Sequence, residues 1–294
     1  MNYPLIAVIY NPNSTGSSKE LAKDFSKRLK KQMPDQLIEL IATEHAGHGE
    51  EIAYELAKKH KRPLVISSSG DGGYHEVING LMKAQREGAR PVAGLLPAGN
   101  ANDHHRNVTR GDLVDTIAHH RPTKIDLLTL KSKSAGKTFY RYGHSYIGFG
   151  LTPTVAGELN KTKLTFFTQA WVVIKALFAI HPVELVIHGK KKSYDSIIAS
   201  NVATMSKVLK ISGPSPLTDG KFEVTIFTTR HKLKLIALLI HTSLIGAKED
   251  FRTKKFSVRT IHKTLVQIDG EIFELDPNTR TILSIEKQVL SCVV

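Results

Sequence analysis

The sequence has little cysteine and no apolar run long enough to cross a membrane. Its 294 residues contain one cysteine, Cys292, so no internal disulfide can form, and no Cys/His spacing resembles a zinc site. This favours a reducing compartment, and we expect a cytoplasmic protein. The longest apolar stretches are residues 164–180, interrupted by polar side chains, and residues 233–245, shorter than the roughly 20 residues that a span needs. No basic segment precedes an apolar one at the start of the chain, so we predict no signal peptide.

Acidic residues are scarce relative to basic ones. The chain has 41 Lys and Arg against 27 Asp and Glu, a formal net charge of +14. Such a charge attracts nucleic acid or an anionic membrane. The basic residues form separate clusters without the interleaved aromatics of a nucleic-acid stripe, and each cluster alone is typical of a solvated surface. Taken together, they favour peripheral binding to an anionic membrane and no nucleic-acid partner.

Apolar runs and helical patterns alternate along the first 123 residues. The first helix is expected to begin with a capping box between Ser17 and Glu20. Its apolar residues Leu21, Phe25 and Leu29 recur every four residues, which predicts a helix. Strands separated by helices indicate a parallel, doubly wound α/β sheet, in which ligands bind at the carboxyl ends of the strands. The predicted strands are residues 5–10, 37–42, 63–67 and 91–96.

Short strand-like segments dominate from residue 124 onward. They include residues 138–147 and 194–203, each expected to form one strand. Runs of short strands with Asp-Gly turns predict a sandwich or a barrel-like domain. We therefore expect two domains, residues 1–123 and 124–294, and leave open whether the last residues return to the first domain. Helical patterns interrupt the strands at residues 165–180 and 233–244.

Two glycine loops follow the third and fourth predicted strands. A strand that ends in glycines and turns into a helix exposes backbone N–H groups, which bind phosphate with the help of the helix dipole. Each loop alone is also compatible with a tight turn that binds nothing. Because both loops share the pattern, we predict one anion cradle and a nucleotide-using enzyme. The first loop contains Ser69, Gly70, Asp71, Gly72 and Gly73, and the second contains Gly99, Asn100, Asn102 and Asp103.

Several polar residues have an ordinary structural interpretation beside the chemical one. Asp71 acts on phosphate through Mg²⁺, or it is a turn or N-cap aspartate. Glu76 orients the loop or a ribose, or it lies on a solvated helix face. Asn11, which precedes a proline, is typical of an Asx turn. Asp269 and Gly270 lie between apolar runs and predict a hairpin turn.

A set of motifs keeps its order and spacing along the whole chain. Its members are Asn11, Pro12, Gly16, Gly70, Asp71, Gly72, Glu76, Asn79, Gly80, Pro97, Gly99, Asn102, Asp103, Asp269, Gly270 and Glu271. This set resembles the diacylglycerol kinase catalytic family, which includes bacterial soluble diacylglycerol kinases and sphingosine and ceramide kinases. The resemblance implies a nucleotide-binding α/β domain followed by a β-sandwich domain, with the active site in the cleft between them. It also implies ATP and Mg²⁺ as cofactors and a lipid as substrate, while a homodimer is left open.

The resemblance also assigns roles to individual residues. It makes Glu271 the general base that accepts a proton from the lipid hydroxyl. Asp71 and Asp126 join it as catalytic residues, although Asp126 is also compatible with an ordinary aspartate at a strand edge. The resemblance carries over a structural Mg²⁺ to Asp219, which is otherwise typical of a turn. The implied nucleotide contacts are Asn11, Pro12, Gly16, Ser69, Gly70, Gly72, Gly73, Glu76, Gly99, Asn100, Asn102 and Asp103.

The chain departs from the family pattern at both loops. The family usually has Gly-Gly-Asp-Gly-Thr where this chain has Ser69 first and Gly73 last, and the adjacent His104 and His105 follow the second loop. Adjacent histidines predict packing rather than a shared metal ion. The apolar helix expected at residues 164–178 either covers the core or forms a lipid entrance. We expect an ATP-dependent lipid kinase acting on diacylglycerol, with an NAD kinase and a non-catalytic lipid or nucleotide binder as alternatives.

Overall fold

The computed structural model divides into two compact units. The first comprises Met1–Asp126 with Gln288–Val294, and the second comprises Leu127–Lys287. The expectations for Gly16 and for a helix at residues 165–180 lie outside the described residues. The structure describes residues 3–14, 17–109, 111–160, 182–207, 209–229, 232–247 and 249–294.

The first unit is a parallel α/β fold. Its strands pair in the order β2-β1-β3-β4, and every pair is parallel. At the end of the chain, Cys292 and Val293 pair in parallel with Ala93 and Gly94 of β4, so the last strand returns to this sheet. The strands are β1 Ile6–Tyr10, β2 Ile38–Ala42, β3 Leu64–Ser69 and β4 Val92–Pro97. The helices are α1 Ser18–Gln32, α2 His48–Lys59, α3 Asp71–Arg86, α4 Asp103–Val108 and α5 Leu113–His119.

Helix α1 is the helix that the spacing of Leu21, Phe25 and Leu29 predicts. Ala22, Phe25 and Leu29 are buried, whereas Leu21 is 38% exposed. Positions 22, 25 and 29 keep the i, i+3, i+7 spacing of one helix face. The predicted capping box is wrong, because Ser17 adopts a left-handed conformation and its side chain makes no capping bond.

The second unit is a β-sandwich. One antiparallel sheet contains, in order, the strands Phe251–Thr253, Phe222–Phe227, Ser196–Ser200, Tyr146–Gly150, Thr264–Ile268 and Glu271–Leu275. The other contains Lys137–Gly143 and Thr123–Ser134, then Arg280–Val293, Lys255–Thr260, Val183–Ile187 and Lys190–Tyr194. Side chains from both sheets form one buried cluster, including Leu128, Phe149, Phe222, Val258 and Leu283. The predicted fold class, a parallel α/β domain followed by a β-sandwich, is therefore confirmed.

The remaining strands and helices follow α5 in the chain. The strands are β5 Thr123–Ser134, β6 Lys137–Gly143, β7 Tyr146–Gly150, β8 Val183–Ile187, β9 Lys190–Tyr194, β10 Ser196–Ser200, β11 Thr204–Met205, β12 Leu209–Lys210, β13 Phe222–Phe227, β14 Phe251–Thr253, β15 Lys255–Thr260, β16 Thr264–Ile268, β17 Glu271–Leu275 and β18 Arg280–Val293. The helices are α6 Leu151–Asn160 and α7 Lys232–Leu244. None of the helices among the described residues is both long enough and apolar enough to cross a bilayer.

Two predicted single strands are each split between the two sheets. Residues 138–147 form β6 in one sheet and the start of β7 in the other, and residues 194–203 divide between β9 and β10 in the same way. A chain that changes sheet keeps its apolar residues, so the sequence pattern does not mark the break. Helix α6 was not predicted from the sequence. It contains Pro153, and proline breaks the interior of a helix but is tolerated in its first turn.

Candidate functional site

The two glycine loops lie side by side at one end of the first unit's sheet. Strands β3 and β4 are paired up to Ser69 and Pro97, and the Ala98 N–H donates to the Ser69 carbonyl oxygen at 2.9 Å. A Cβ placed on Gly99 would lie 2.2 Å from the Gly70 Cα, so any side chain there would push the two loops apart. The absence of a side chain at Gly99 is therefore required for the two loop backbones to touch.

In the first glycine loop, the side chain of Ser69 lies in the space next to Gly73. A Cβ placed on Gly73 would lie 2.6 Å from the Ser69 Cβ and 2.7 Å from its Oγ. The Ser69 hydroxyl occupies this space and hydrogen-bonds with the Ser67 hydroxyl at 2.7 Å. The two departures from the family pattern in this loop are therefore linked, because the side chain at Ser69 fills the space next to Gly73.

Asp71 links the two loops. It is the first residue of α3, and its carboxylate accepts hydrogen bonds from the N–H groups of Asp103 at 3.0 Å and His104 at 3.1 Å. These donors belong to the first turn of α4, whose N–H groups have no partner within the helix. Asp71 therefore caps the helix of the other loop rather than its own, and its action on phosphate through Mg²⁺ stays a prediction.

Asn102 closes the second loop on itself. Its Oδ1 accepts from the Gly99 N–H at 2.9 Å, and its Nδ2 donates to the Gly99 carbonyl oxygen at 2.8 Å. The Gly99 N–H, which the sequence suggested as a phosphate donor, is therefore engaged by Asn102. Asp103 is buried, and Asn100 is largely exposed at the loop tip.

The histidines after the second loop pack into the first unit. His104 is buried, and its ring centroid lies 5.2 Å from that of Tyr74 on α3. His105 is half-buried, and burial lowers its pKa below the usual value, an effect that Arg106 reinforces. The lowered pKa of His105 favours its neutral imidazole form.

Glu76 holds the loop that precedes α2. Its two carboxylate oxygens accept from the N–H groups of Gly47 at 2.8 Å and Gly49 at 3.0 Å. Gly47 has φ +84°, a conformation that favours glycine. A Cβ on Gly49 would lie 2.8 Å from the Glu76 Oε2, so the glycine leaves room for the carboxylate. Glu76 therefore orients a loop rather than lying on a solvated helix face.

The loop after β1 contains the Asx turn that Asn11 predicts. The Asn11 Oδ1 accepts from the Asn13 N–H at 2.9 Å. Strands β1 and β3 pair from Ile6 opposite Leu64 to Tyr10 opposite Ser68, so this loop follows the strand next to the first glycine loop. Ser18 and Ser68 are also hydrogen-bonded, which ties the start of α1 to β3. Asn11 and Pro12 thus start from the same sheet edge as the glycine loops.

A histidine pair at the start of α2 does not form a good metal site. Ligand atoms of His45, His48 and Glu51 lie within 4.8 Å of one another. However, the two imidazole rings are stacked, with centroids 4.7 Å apart and planes inclined by only 10°. A metal ion lies near the plane of each imidazole that binds it, so two parallel, stacked rings cannot converge on one ion.

Asp126 is fully buried and paired with the end of the chain. Its Oδ1 accepts from the Gln288 N–H at 2.7 Å, and both residues belong to the first unit. The Gln85 side chain donates to the Val289 carbonyl oxygen at 2.9 Å in the same region. Asp126 therefore helps to anchor the returning strand, and its catalytic role stays a prediction.

The hairpin between β16 and β17 carries Glu271 in the second unit. Its turn residues Asp269 and Gly270 have φ +50° and +101°, as in a two-residue type I′ turn. The predicted hairpin is therefore confirmed. Glu271 is the first residue of β17, pairs with Ile268 and is partly exposed.

Sequence reasoning missed that Asp269 is more than a turn residue. It is fully buried, and its carboxylate accepts from the N–H groups of His144, Ser145 and Tyr146 at 2.8, 2.8 and 3.1 Å. These three residues lie where β6 ends and β7 begins in the other sheet. The only sequence signal was an aspartate in a turn, which is common without any such contact.

Asp219 is paired with a cation of the protein. Its Oδ1 accepts from the Lys221 N–H at 2.9 Å, and its Oδ2 from the Arg252 guanidinium. Arg252 also donates to the Glu223 Oε1 at 2.9 Å. Burial raises the pKa of Glu223, and the Arg252 charge acts in the opposite direction. Because Arg252 already neutralises Asp219, the donor set fits an ion pair rather than Mg²⁺, and the expected ion stays a prediction.

Known proteins resemble the chain in sequence and in fold. Residues 5–130 match the family model described as the diacylglycerol kinase catalytic domain. A diacylglycerol kinase of Bacillus subtilis is 26% identical over 283 residues, covering 90% of this chain and 88% of that protein. The crystal structure of a diacylglycerol kinase from Bacillus anthracis has a TM-score of 0.71 at 15% identity and covers 100% of this chain and 97% of that one. Yeast NADH kinase complexed with NADH is more distant, with a TM-score of 0.50, 11% identity, and coverage of 99% of this chain and 83% of that one.

These findings agree with the motif resemblance. The structural similarity shows the fold, and the family match shows a diacylglycerol kinase catalytic domain at residues 5–130. The sequence similarity to a diacylglycerol kinase supports a kinase of that type.

Proposed function

We propose that this protein is an ATP-dependent lipid kinase that transfers the γ-phosphoryl group to the hydroxyl of diacylglycerol and forms phosphatidic acid. The observation that carries the proposal is the contact between the glycine loops, with Gly70 and Gly99 backbone to backbone at the carboxyl ends of β3 and β4. Ligands of open α/β sheets bind at such strand ends. The family match covers both loops.

The first glycine loop supplies the groups that would hold the phosphates. The first turn of α3 begins at Asp71 and continues with Gly72 and Gly73. Its N–H groups have no partner within the helix, and a 16-residue helix adds its dipole. We propose that these N–H groups and the Ser69 hydroxyl bind the triphosphate, together with the loop of Asn11, Pro12 and Gly16.

The acidic groups at the loops have a positioning role. Asp71 accepts two N–H groups of the second loop and so fixes the distance between the two loops. Carboxylate oxygens are the ligands that Mg²⁺ prefers, so Asp71 and Asp103 are the residues that would hold the ion. When bound, Mg²⁺ would neutralise charge on the phosphates. Positioning and charge neutralisation supply most of phosphoryl-transfer catalysis.

We propose that Glu271 is the general base. A lipid hydroxyl is a weak nucleophile, and a carboxylate that takes its proton as the phosphoryl group moves accelerates the step. Glu271 directly follows a turn whose Asp269 carboxylate accepts three backbone N–H groups. These hydrogen bonds fix the position of the turn and therefore of the backbone at the start of β17. Its family role supports this assignment, with Asp126 as an accessory group.

The acceptor places the reaction at a membrane. Diacylglycerol resides in bilayers, so we propose that the protein acts as a peripheral protein on the cytoplasmic side. The net charge of +14 favours an anionic surface.

The first test identifies the product. The protein is incubated with radiolabelled ATP and, separately, with diacylglycerol, a total membrane lipid extract and NAD, and the labelled product is identified. Labelled phosphatidic acid is the expected result. Labelled NADP would overturn the lipid assignment in favour of the NAD kinase alternative. ATP binding without any labelled product would support a non-catalytic binder.

The second test concerns Glu271. Glu271→Gln keeps the size of the side chain and removes the base, so kcat should fall by roughly 100-fold or more. Glu274→Gln is the matched control, because Glu274 lies on the same strand and its carboxylate forms an exposed ion pair with Lys263. Full activity of Glu271→Gln with a folded protein would contradict the assignment.

A further inference from the structure

Helix α7 exposes apolar side chains on the surface of the second unit. Leu235 and Thr242 face the interior and are buried, with Leu235 in a cluster that includes Tyr146 and Met205. On the outside, Ile240 is 56% exposed and Leu244 is 74% exposed. These residues are four apart and therefore share one face of the helix.

The exposed patch continues past the end of the helix. Ile245, the residue after α7, is 72% exposed. The other large apolar side chains with high exposure among the described residues, such as Leu37 and Leu265, are 51% exposed or less. Isolated exposed leucines are ordinary, but three large apolar residues grouped on one surface indicate an interaction site. We call Ile240, Leu244 and Ile245 the α7 patch.

The surroundings of the α7 patch are basic. Residues 127–287 contain 24 Lys and Arg against 12 Asp and Glu, a balance of +12, whereas the first unit has 17 against 15, a balance of +2. The Lys210 side chain lies next to Gly246, with its Cβ 3.4 Å from where a glycine Cβ would be, and Lys234 is exposed on α7 itself. Almost the whole excess charge of the protein thus belongs to the unit that carries the patch.

Apolar residues beside cations suit an anionic bilayer. A helix that lies in the interface buries its apolar face among acyl chains, while nearby Lys and Arg contact anionic headgroups. The 13 residues of α7 are too few to span a bilayer, which needs about 20. A second copy of the chain is a poorer occupant, because its basic surface would repel this one.

We propose that the α7 patch inserts into an anionic membrane and, with Lys210 and Lys234, docks the protein on it. This inference deepens the proposed function and rests on it, because a kinase acting on a bilayer lipid must reach the bilayer.

The test measures vesicle binding without nucleotide or substrate. The intact protein is sedimented with vesicles of phosphatidylcholine alone or of an equal mixture of phosphatidylcholine and phosphatidylglycerol. The variants are Leu244→Gln/Ile245→Gln, Lys210→Gln/Lys234→Gln, and the control Leu37→Gln/Leu40→Gln, which changes exposed leucines of the first unit. Thermal unfolding confirms that each variant is folded, and sedimentation velocity reports self-association.

We expect binding to the mixed vesicles that falls about tenfold or more in the leucine–isoleucine variant and clearly in the lysine variant, with the control unchanged. Equal binding by Leu244→Gln/Ile245→Gln and the wild type would overturn the inference. So would a dimer that this variant abolishes, because the patch would then bind a second copy. Wild-type activity on diacylglycerol in detergent micelles tests the proposed function separately, since micelles need no docking to a bilayer.

Discussion

At the scale of single residues, the first glycine loop contains a linked pair of substitutions. Ser69 stands where the family usually has glycine, and Gly73 stands where it usually has threonine. The space beside Gly73 is taken by the Ser69 side chain, 2.6 Å from where a Cβ would be. This chain therefore has its hydroxyl side chain at position 69, whereas the family usually has one at position 73. The glycine at position 73 therefore goes together with the serine at position 69, because a side chain at position 73 would overlap that of Ser69.

This coupling predicts a non-additive mutant cycle. Gly73→Thr alone should destabilise the protein by about 1–3 kcal/mol, because its Cβ would overlap Ser69. Ser69→Gly/Gly73→Thr should recover most of this loss, because the space is vacated. Chemical unfolding measures the stability of all four proteins, and calorimetry measures their ATP affinity. Additive losses in the double variant would show that the two positions are independent.

At the same scale, residue types could be predicted from the sequence, but the hydrogen-bond partners of the carboxylates could not. Glycines and turn aspartates were recognisable by type, as Asp269 and Gly270 show. The partners of Asp71, Glu76 and Asp269 were not, because each carboxylate binds N–H groups remote in sequence, up to 125 residues away for Asp269. A sequence pattern reports a residue's own neighbourhood, whereas these partners are set by tertiary packing.

At the scale of elements, the connection between β6 and β7 binds the buried carboxylate of Asp269. The chain leaves one sheet at Gly143 and joins the other at Tyr146, and its N–H groups at this point cannot all join either sheet. Asp269 accepts three of them from the turn of the neighbouring hairpin. Unpaired buried N–H groups are costly, so this carboxylate stabilises both the crossover and the hairpin that carries Glu271.

Replacing Asp269 should separate these effects. Asp269→Asn keeps the turn, since Asn-Gly favours a type I′ conformation, but directs an NH₂ group at a backbone N–H. We expect a loss of about 1–3 kcal/mol in the free energy of unfolding. Asp276→Asn is the matched control, because Asp276 accepts the Ala135 and Gly136 N–H groups at an exposed turn, where water can replace it.

Hydrogen exchange gives the local readout for this prediction. The amides of His144, Ser145 and Tyr146 should exchange faster in Asp269→Asn and be unchanged in Asp276→Asn. If Asp269→Asn matched the wild type in both stability and exchange, the crossover would not depend on this side chain.

At the scale of the whole molecule, the two folds differ in how well their patterns predicted them. Apolar runs separated by helical periods identified β1 to β4 because each strand of a parallel sheet is short and is followed by a helix. In the sandwich, β6 with β7 and β9 with β10 were each merged, because an apolar pattern continues through a change of sheet. The positions of the two glycine loops were predictable for the same reason, because each loop follows one of these strands. The α7 patch was not, because only burial distinguishes an exposed apolar face from a packed one.

The first unit is completed by the last residues of the chain, although these residues follow the second unit in the sequence. Strand β18 begins at Arg280 in the second unit and ends in the first, where Cys292 and Val293 pair with β4. The Gln288 N–H is the donor to the buried carboxylate of Asp126, and the Val289 carbonyl oxygen accepts from Gln85. Seven residues at the end of the chain therefore support the sheet that carries the glycine loops.

Deleting residues 288–294 should consequently destabilise the first unit. It removes two parallel pairings on β4 and one hydrogen-bond donor to the buried carboxylate of Asp126, and we expect a loss of about 3 kcal/mol or more in its free energy of unfolding. Amides of β4 at Ala93 and Gly94 should lose protection from hydrogen exchange, while those of the sandwich strands β10 and β13, which pair with each other, should keep theirs. Deleting Val294 alone is the control, because this residue lies beyond the last pairing and should leave both regions protected. Equal protection of β4 in the long deletion and in the control would mean that the parallel sheet is stable without its returning strand.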